Sequence, residues 1–409
     1  MKFAHESAHP TAGPRVLALY PWNPSPPTTG GEHAVFDLSQ ALARHTPCTL
    51  AVIDEAASTL TQEDVSPQIT LAKLPASDYR RNKLSRLKAP SGLLDDTSPL
   101  KRSLRQSTSR QLRAALSELA LQHDVIVFCS PWMWPIARHV PAILKRPIVY
   151  DAQNVEAEIA LQQTPARWRA RLYQYMTARI EASLCRAAAQ VWCCSDQDAA
   201  CFRELLPQAD RQKVQIGFKG RNQCEQPIQG FHRRTPSAVF VGSAWGPNMD
   251  AAQYIATTLA PQLPQYQFCI AGKCGEHLSG TLPPNVAVLG YVADLDAELL
   301  KHRVALNPIT SGSGINIKLL DYLATGTPVI STPFGARGLP DDIQRSVTQC
   351  AVHTFAQEVA HLMEDESLWT THSQQLLNEF ARHFDWHTVS TQAWTRVHQI
   401  QQSHHARHP

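Results

Sequence analysis

The sequence predicts an α/β protein of two Rossmann-like domains, and three observations carry that expectation. Its 409 residues exceed the size at which one hydrophobic core usually keeps growing. Short runs rich in Val, Ile and Leu alternate with longer amphipathic segments, the pattern of parallel strands joined by right-handed crossovers. The same order recurs in the second half, so two similar sheets facing a cleft are expected, with ligands at the carboxyl ends of their strands.

Composition narrows the class. Apolar residues make up 43% and charged ones 18%, as in a globular chain, and a formal charge of +3 is too small to argue for a nucleic-acid partner. The ten cysteines are scattered, only Cys193 and Cys194 being adjacent, and read as reduced thiols of a cytoplasmic protein with no zinc-type pair. No run reaches the roughly 18 to 20 apolar residues of a membrane span, and the first thirteen residues lack the apolar run of a secretion signal. Any membrane association expected is therefore peripheral, on the inner face of the cytoplasmic membrane.

Each element follows from local pattern. Residues 15–20 read as a first strand, the proline-rich loop PWNPSPPTTGGEH follows, residues 34–43 are amphipathic, and residues 48–53 form a second strand. Residues 79–113 then break the pattern with ten Lys or Arg against two Asp. They read as a basic surface insertion with short helices, either a solvated face or a surface for an anionic membrane or a phosphorylated substrate. Strands at 124–129, 147–150 and 191–194 continue the first sheet, and a long Arg-bearing helix at 166–188 lies between the last two. Strands at 238–241, 267–271, 286–289 and 304–306 define the second sheet, with helices at 250–259, 296–301, 356–365 and 371–382. The expected domains are 14–212 for acceptor binding and 213–370 for donor binding. C-terminal helices at 371–396 cross back to the first domain, and a flexible tail occupies 397–409.

The chemistry concentrates in NPITSGSGINIKLLDYLATGTPVISTPFGARGL, residues 307–339. A strand ends at Pro308, a loop of small residues follows, and a helix is expected from Ile315 with Lys318 and Asp321 one turn apart on one side. Backbone N–H groups at a helix start preceded by glycines make an anion site, which Lys318 reinforces. An ionised Asp321 accepts two hydroxyl donors at once, as a ribose would offer. The bland reading is a capped crossover helix with an exposed lysine and aspartate.

This stretch resembles the donor-binding signature of glycosyltransferases of the two-Rossmann-domain B type, specifically the retaining family 4 with many bacterial polysaccharide and lipopolysaccharide transferases. The matching positions are Gly312, Gly314, Lys318, Asp321, Tyr322, Ala324, Gly326, Pro328 and Val329, then Thr332, Gly335 and Gly338. PTTGGEH with Gly30 and Gly31, VYDAQNVEAEIA at 149–160, FVGSAWGPNMDAA from Phe240 and GYVADLDAELL from Gly290 resemble further blocks in the same order. The resemblance implies a transfer from a nucleoside-diphosphate sugar to a glycan or lipid-linked acceptor in surface polysaccharide synthesis, without a cofactor and with no nucleic acid. It places Gly30, Gly31, Gly242, Tyr291, Gly312, Ser313, Gly314, Ile315 and Asp321 at the donor.

Two departures stand out. Ser313 occupies the place of the first of two family carboxylates, and Asp321 is one methylene shorter than the second. The Arg and Lys pair that neutralises the donor diphosphate is missing from GSAWGPN, where Gly246 and Asn248 stand. Charge building on the leaving phosphate must still be met by a cation or an N–H nest. Lys318 and Lys273 are favoured, with Lys219 and Arg221 as further candidates. No Asp-x-Asp metal signature precedes a strand-end loop, so no metal is expected. His33, beside the Gly-Gly pair, is a catalytic or phosphate-contact candidate, or else a solvent-facing histidine. Trp132 and Trp134 either platform a sugar or belong to the core. Other classes remain open on these residues: a non-catalytic nucleotide-sugar or glycan-binding protein, or a nucleotide-sugar epimerase.

Overall fold

The computed structural model describes residues 13–24, 30–78, 98–163, 167–312 and 315–407. The chain divides into two units. The first takes in the described residues up to Cys193, Asp198–Phe218 and the residues from Ser390 on; the second comprises Cys194–Gln197 and Lys219–Val389.

The first unit holds an eight-stranded sheet of β1 (Val16–Tyr20), β2 (Cys48–Asp54), β3 (Thr61–Ser66), β4 (Ile69–Pro75), β5 (Val125–Phe128), β6 (Ile148–Asp151), β7 (Gln190–Cys193) and β8 (Val214–Ile216). Their order is β3-β4-β2-β1-β5-β6-β7-β8. All neighbours are parallel except the β3–β4 hairpin. Every residue of β1 is buried, because helices cover both faces of a parallel sheet. Sequence periodicity misses β3: its TQEDVS is exposed over its first five residues, since it pairs on one side only and keeps its charges in water. β8 belongs to this sheet, so the first unit runs to Phe218, past the 212/213 boundary read from the sequence.

The second unit holds β9 (Thr235–Val241), β10 (Gln267–Ala271), β11 (Val286–Gly290), β12 (His302–Asn307), β13 (Val329–Ser331) and β14 (Thr348–Gln349). All pairs are parallel, in the order β11-β10-β9-β12-β13-β14. This is the Rossmann arrangement, in which strand order reverses beside β9 and the loops leaving β9 and β12 are brought together. Glycine makes the close packing there possible. Gly272 has φ +88°, and a Cβ on it would strike the Gly242 carbonyl; a Cβ on Gly242 would stand 2.9 Å from the Asn248 Cβ.

Three further sequence expectations are corrected. Of the basic segment 79–113, residues 79–97 lie outside the described residues. The remainder enters the helices Pro99–Gln106 and Arg110–Gln122, whose Leu100, Leu112, Leu116 and Leu119 are buried while Arg102, Leu104 and Arg110 stay exposed, so this part also serves as core scaffold. The supposed tail is helical: Trp386–Arg407 is one helix, and Val389, Ala393, Val397 and Ile400 recur at three- and four-residue spacing as its buried stripe. The helix expected from 371 starts at Glu366, where the Asp365 carboxylate accepts the Leu368 N–H at 2.9 Å.

Arg234, 2% exposed just before β9, ties the second unit together. Its guanidinium donates to the carbonyls of Gln229, Leu299, His302 and Thr325 and to the Thr327 hydroxyl, and lies 5.1 Å from the centre of the Trp369 ring. Replacing it by Met strands buried carbonyls without donors. We expect Arg234→Met to destabilise the second unit by about 3–5 kcal/mol in urea unfolding, with Arg234→Lys recovering part of the loss. An unchanged midpoint would contradict this role.

Candidate nucleotide-sugar site

The site grows from the two loops at the reversal point. After β9 the chain runs through Gly242 and Trp245 into the helix Gly246–Tyr254. After β12 it runs to Gly312, whose φ of +117° only glycine adopts comfortably. The Trp245 ring covers Gly312 so closely that a Cβ there would overlap it. Trp245 therefore fixes the loop whose small residues the sequence singles out. Ser313 and Gly314 lie outside the described residues.

The helix after this loop is Lys318–Ala324, three residues shorter at its start than expected. Asn316 donates its side-chain amide to the Gly335 carbonyl at 2.7 Å and shapes a turn where a first helical turn was anticipated. Lys318 thus opens the helix. Its Nζ donates to Asn248 Oδ1 at 2.6 Å and sits 4.4 Å from the centre of the Phe240 ring. The Asn248 amide nitrogen donates in turn to Ser243, at 3.3 Å to both carbonyl and hydroxyl, which orients the oxygen that receives the lysine. Burial pushes the Lys318 ammonium down to about 7, with the nearby Cys274 and Asp321 pulling in the opposite direction. The ammonium of Lys318 thus rests against Asn248 of the GSAWGPN stretch.

Asp321, one turn on, faces elsewhere. Arg221 Nε donates to its Oδ1 at 2.7 Å while Arg221 Nη2 pairs with Asp296. The arginine is itself anchored: its N–H donates to the Phe384 carbonyl at 2.9 Å, and its carbonyl accepts from Trp386 at 3.2 Å. Arg221 is thus committed to two carboxylates and fixes the direction of Asp321. Asp296, Asn248 and Trp245 escape sequence reasoning as site residues, because each acts through a partner distant in sequence.

The remaining candidates separate. Lys273 is exposed at the start of the turn Lys273–His277, Lys219 is half-buried, and Tyr291 is 82% exposed. Ile315 packs on Gly338, where a Cβ would overlap it, so its role there is packing. Gly30 and Gly31 open the helix Gly30–Ala43 of the first unit, with His33 exposed in its first turn. Trp132 and Trp134, each 3% exposed, are core residues; Trp134 donates to Ser183 at 3.0 Å and meets Phe128 edge-on. Buried in this way, neither ring offers a face to a sugar. In the first unit's Tyr-Asp block, the fully buried Glu181 accepts the N–H groups of Glu156 and Ala157, each at 3.0 Å, and the Tyr150 hydroxyl at 3.3 Å. Burial, with the Glu156 charge, raises it to about 8.

Among the described residues one group, Asp342, Glu379 and His383, brings metal-ligand atoms within 4.8 Å of one another. His383 Nε2 lies 2.8 Å from Asp342 and 3.4 Å from Glu379, and Arg382 also pairs with Glu379, so the group is read as an ion-pair network.

The two sheet-bearing units have the fold of B-type glycosyltransferases. Residues 235–365, within the second unit, match the family model described as Glycosyl transferases group 1. Solved structures share the fold along nearly the whole chain. HepE of Anabaena, determined in complex with UDP and glucose, is 14% identical with a TM-score of 0.63, covering 93% of this chain and 98% of that one. Sucrose-phosphate synthase from Thermosynechococcus elongatus is 14% identical with a TM-score of 0.69, covering 95% and 100%. WaaG, a glycosyltransferase involved in lipopolysaccharide biosynthesis, is 15% identical with a TM-score of 0.60, covering 94% and 99%. No curated protein matches the chain in sequence.

The depressed Lys318 ammonium gives the site a pH signature. A diphosphate bound beside Lys318 would favour the charged form, so its affinity would be highest where the free lysine is already protonated, below about pH 7, and would fall as pH rises through that value. Nucleoside-diphosphate titrations should weaken about tenfold or more between about pH 6 and pH 9. In Lys318→Arg, charged throughout, that slope should vanish. A slope retained in the arginine variant would assign it to another group.

Proposed function

We propose that this chain is a retaining transferase that moves a sugar from a nucleoside-diphosphate sugar to a hydroxyl acceptor, a glycan or lipid-linked saccharide of bacterial surface polysaccharide synthesis. The observation that carries the reading is the Lys318 ammonium, seated between Asn248 and Phe240 beside the loop that Trp245 holds over Gly312. In this reading the donor diphosphate lies against Lys318 and the loop's backbone N–H groups. Asp321, aimed by Arg221, accepts the ribose hydroxyls. Departure of the nucleoside diphosphate concentrates negative charge near Lys318, and a cation in a poorly solvated setting stabilises that charge more than it does the ground state. The acceptor hydroxyl attacks on the leaving-group face, and the departing phosphate takes its proton. HepE, determined with UDP and glucose, supports a nucleotide-sugar donor for the shared fold. A lipid-linked acceptor would place the enzyme at the inner face of the cytoplasmic membrane.

The test is a screen against UDP-, GDP-, ADP- and TDP-sugars that follows sugar consumption and nucleotide release, with binding measured in parallel. One donor should turn over. Lys318→Ala should lower kcat/KM about a hundredfold or more, the loss of one charge-stabilising group. Asp321→Ala should act mainly on donor KM. Donor binding without turnover with any acceptor would favour a non-catalytic binding protein, and a folded chain that binds no donor would refute the reading.

A further inference from the structure

The helix Arg167–Ala187 of the first unit has two contrasting faces. Thr177, Glu181, Leu184 and Cys185 are buried. On the opposite face Trp168, Leu172 and Tyr175 stay 58%, 37% and 57% exposed, at positions i, i+4 and i+7 of one stripe. The exposed Arg171 and Arg179 interleave with them. The helix's one acid, Glu181, is on the buried side, so the stripe itself carries only positive charge.

Two details make this more than scattered surface apolarity. Arg179 lies against the Tyr175 ring, 5.6 Å from its centre, and donates to its hydroxyl at 2.9 Å, which lines cation and aromatic ring along the same ridge. Tyr173, on the flank, lies against Ser98 and Leu100. The adjoining helix Pro99–Gln106, PLKRSLRQ, brings three more basic residues, no acid and the exposed Leu104. The helix is too polar to enter a bilayer core: no helix among the described residues is long and apolar enough to cross a membrane. Aromatic rings with polar edges and arginines on one exposed ridge suit the headgroup layer, where rings settle among acyl carbonyls and guanidinium groups pair with phosphates.

We propose that the Trp168–Arg171–Leu172–Tyr175–Arg179 face is a docking surface for an anionic lipid bilayer. It deepens the membrane-side reading above and adds this helix to the segment 79–113 as the contact. Its use depends on a lipid-linked acceptor; its existence does not.

The test is co-sedimentation of the full chain with phosphatidylcholine vesicles and with vesicles that also contain phosphatidylglycerol. The variants are Trp168→Ala/Tyr175→Ala and Arg171→Glu/Arg179→Glu, and thermal melting and donor consumption are followed in solution. Wild type should bind only the anionic vesicles. Each double variant should bind about tenfold less or weaker still, while melting and donor consumption stay unchanged. The conservative Tyr175→Phe and Arg179→Lys should bind as wild type. Absence of vesicle binding by wild type, or equal binding by the double variants, would overturn the proposal. Loss on charge reversal alone, matched by an equal loss of oligonucleotide binding, would also overturn it by reducing the face to an unspecific cationic patch. Because the assay contains neither donor nor acceptor, its failure is separate from failure of the transferase reading.

Discussion

The second unit is arranged around the enclosure of one lysine ammonium. Strand order reverses beside β9, so the loops after β9 and β12 must meet, and the junction tolerates little bulk at Gly242, Gly272 or Gly312. Into this junction the helix Lys318–Ala324 delivers Lys318, where Asn248 supplies a single neutral acceptor and Phe240 a ring face. That is thin compensation for a desolvated cation, and the depressed ammonium records the shortfall. An anion arriving here would complete the lysine's coordination.

The surrounding pairs divide the work. Lys318 and Asp321 start on one short helix but are drawn to different partners, the first toward the helix Gly246–Tyr254 and the second toward Arg221. Arg221 shares its guanidinium with Asp296 and is stitched through its backbone to Phe384 and Trp386, at the entry to the last helix. The carboxylate read as the ribose acceptor is thus held by the segment on which the chain enters the second unit.

Much of this was legible in the sequence because it is encoded locally. Buried apolar runs located most strands of both sheets, and the 307–339 stretch marked the loop, the lysine and the aspartate. What escaped was encoded at long range. The exposed β3 has no apolar alternation to reveal it. The turn at Asn316 depends on Gly335, and the worth of Asn248 and Trp245 appears only once β9 and β12 are neighbours. Trp132 and Trp134 looked as suited to a sugar as to a core, and burial decided for the core. Residues 397–407, the last turns of the final helix, read as a tail because their buried Val397 and Ile400 are diluted by Gln and His.

A structure of the protein with a nucleoside diphosphate bound tests the central claim most directly. Diphosphate oxygens should lie within hydrogen-bonding distance of Lys318 Nζ, beside the Gly312 loop, and ribose hydroxyls on Asp321 with its Arg221 pairing intact. A diphosphate held by Lys273 or Lys219, with Lys318 still bonded only to Asn248, would contradict it.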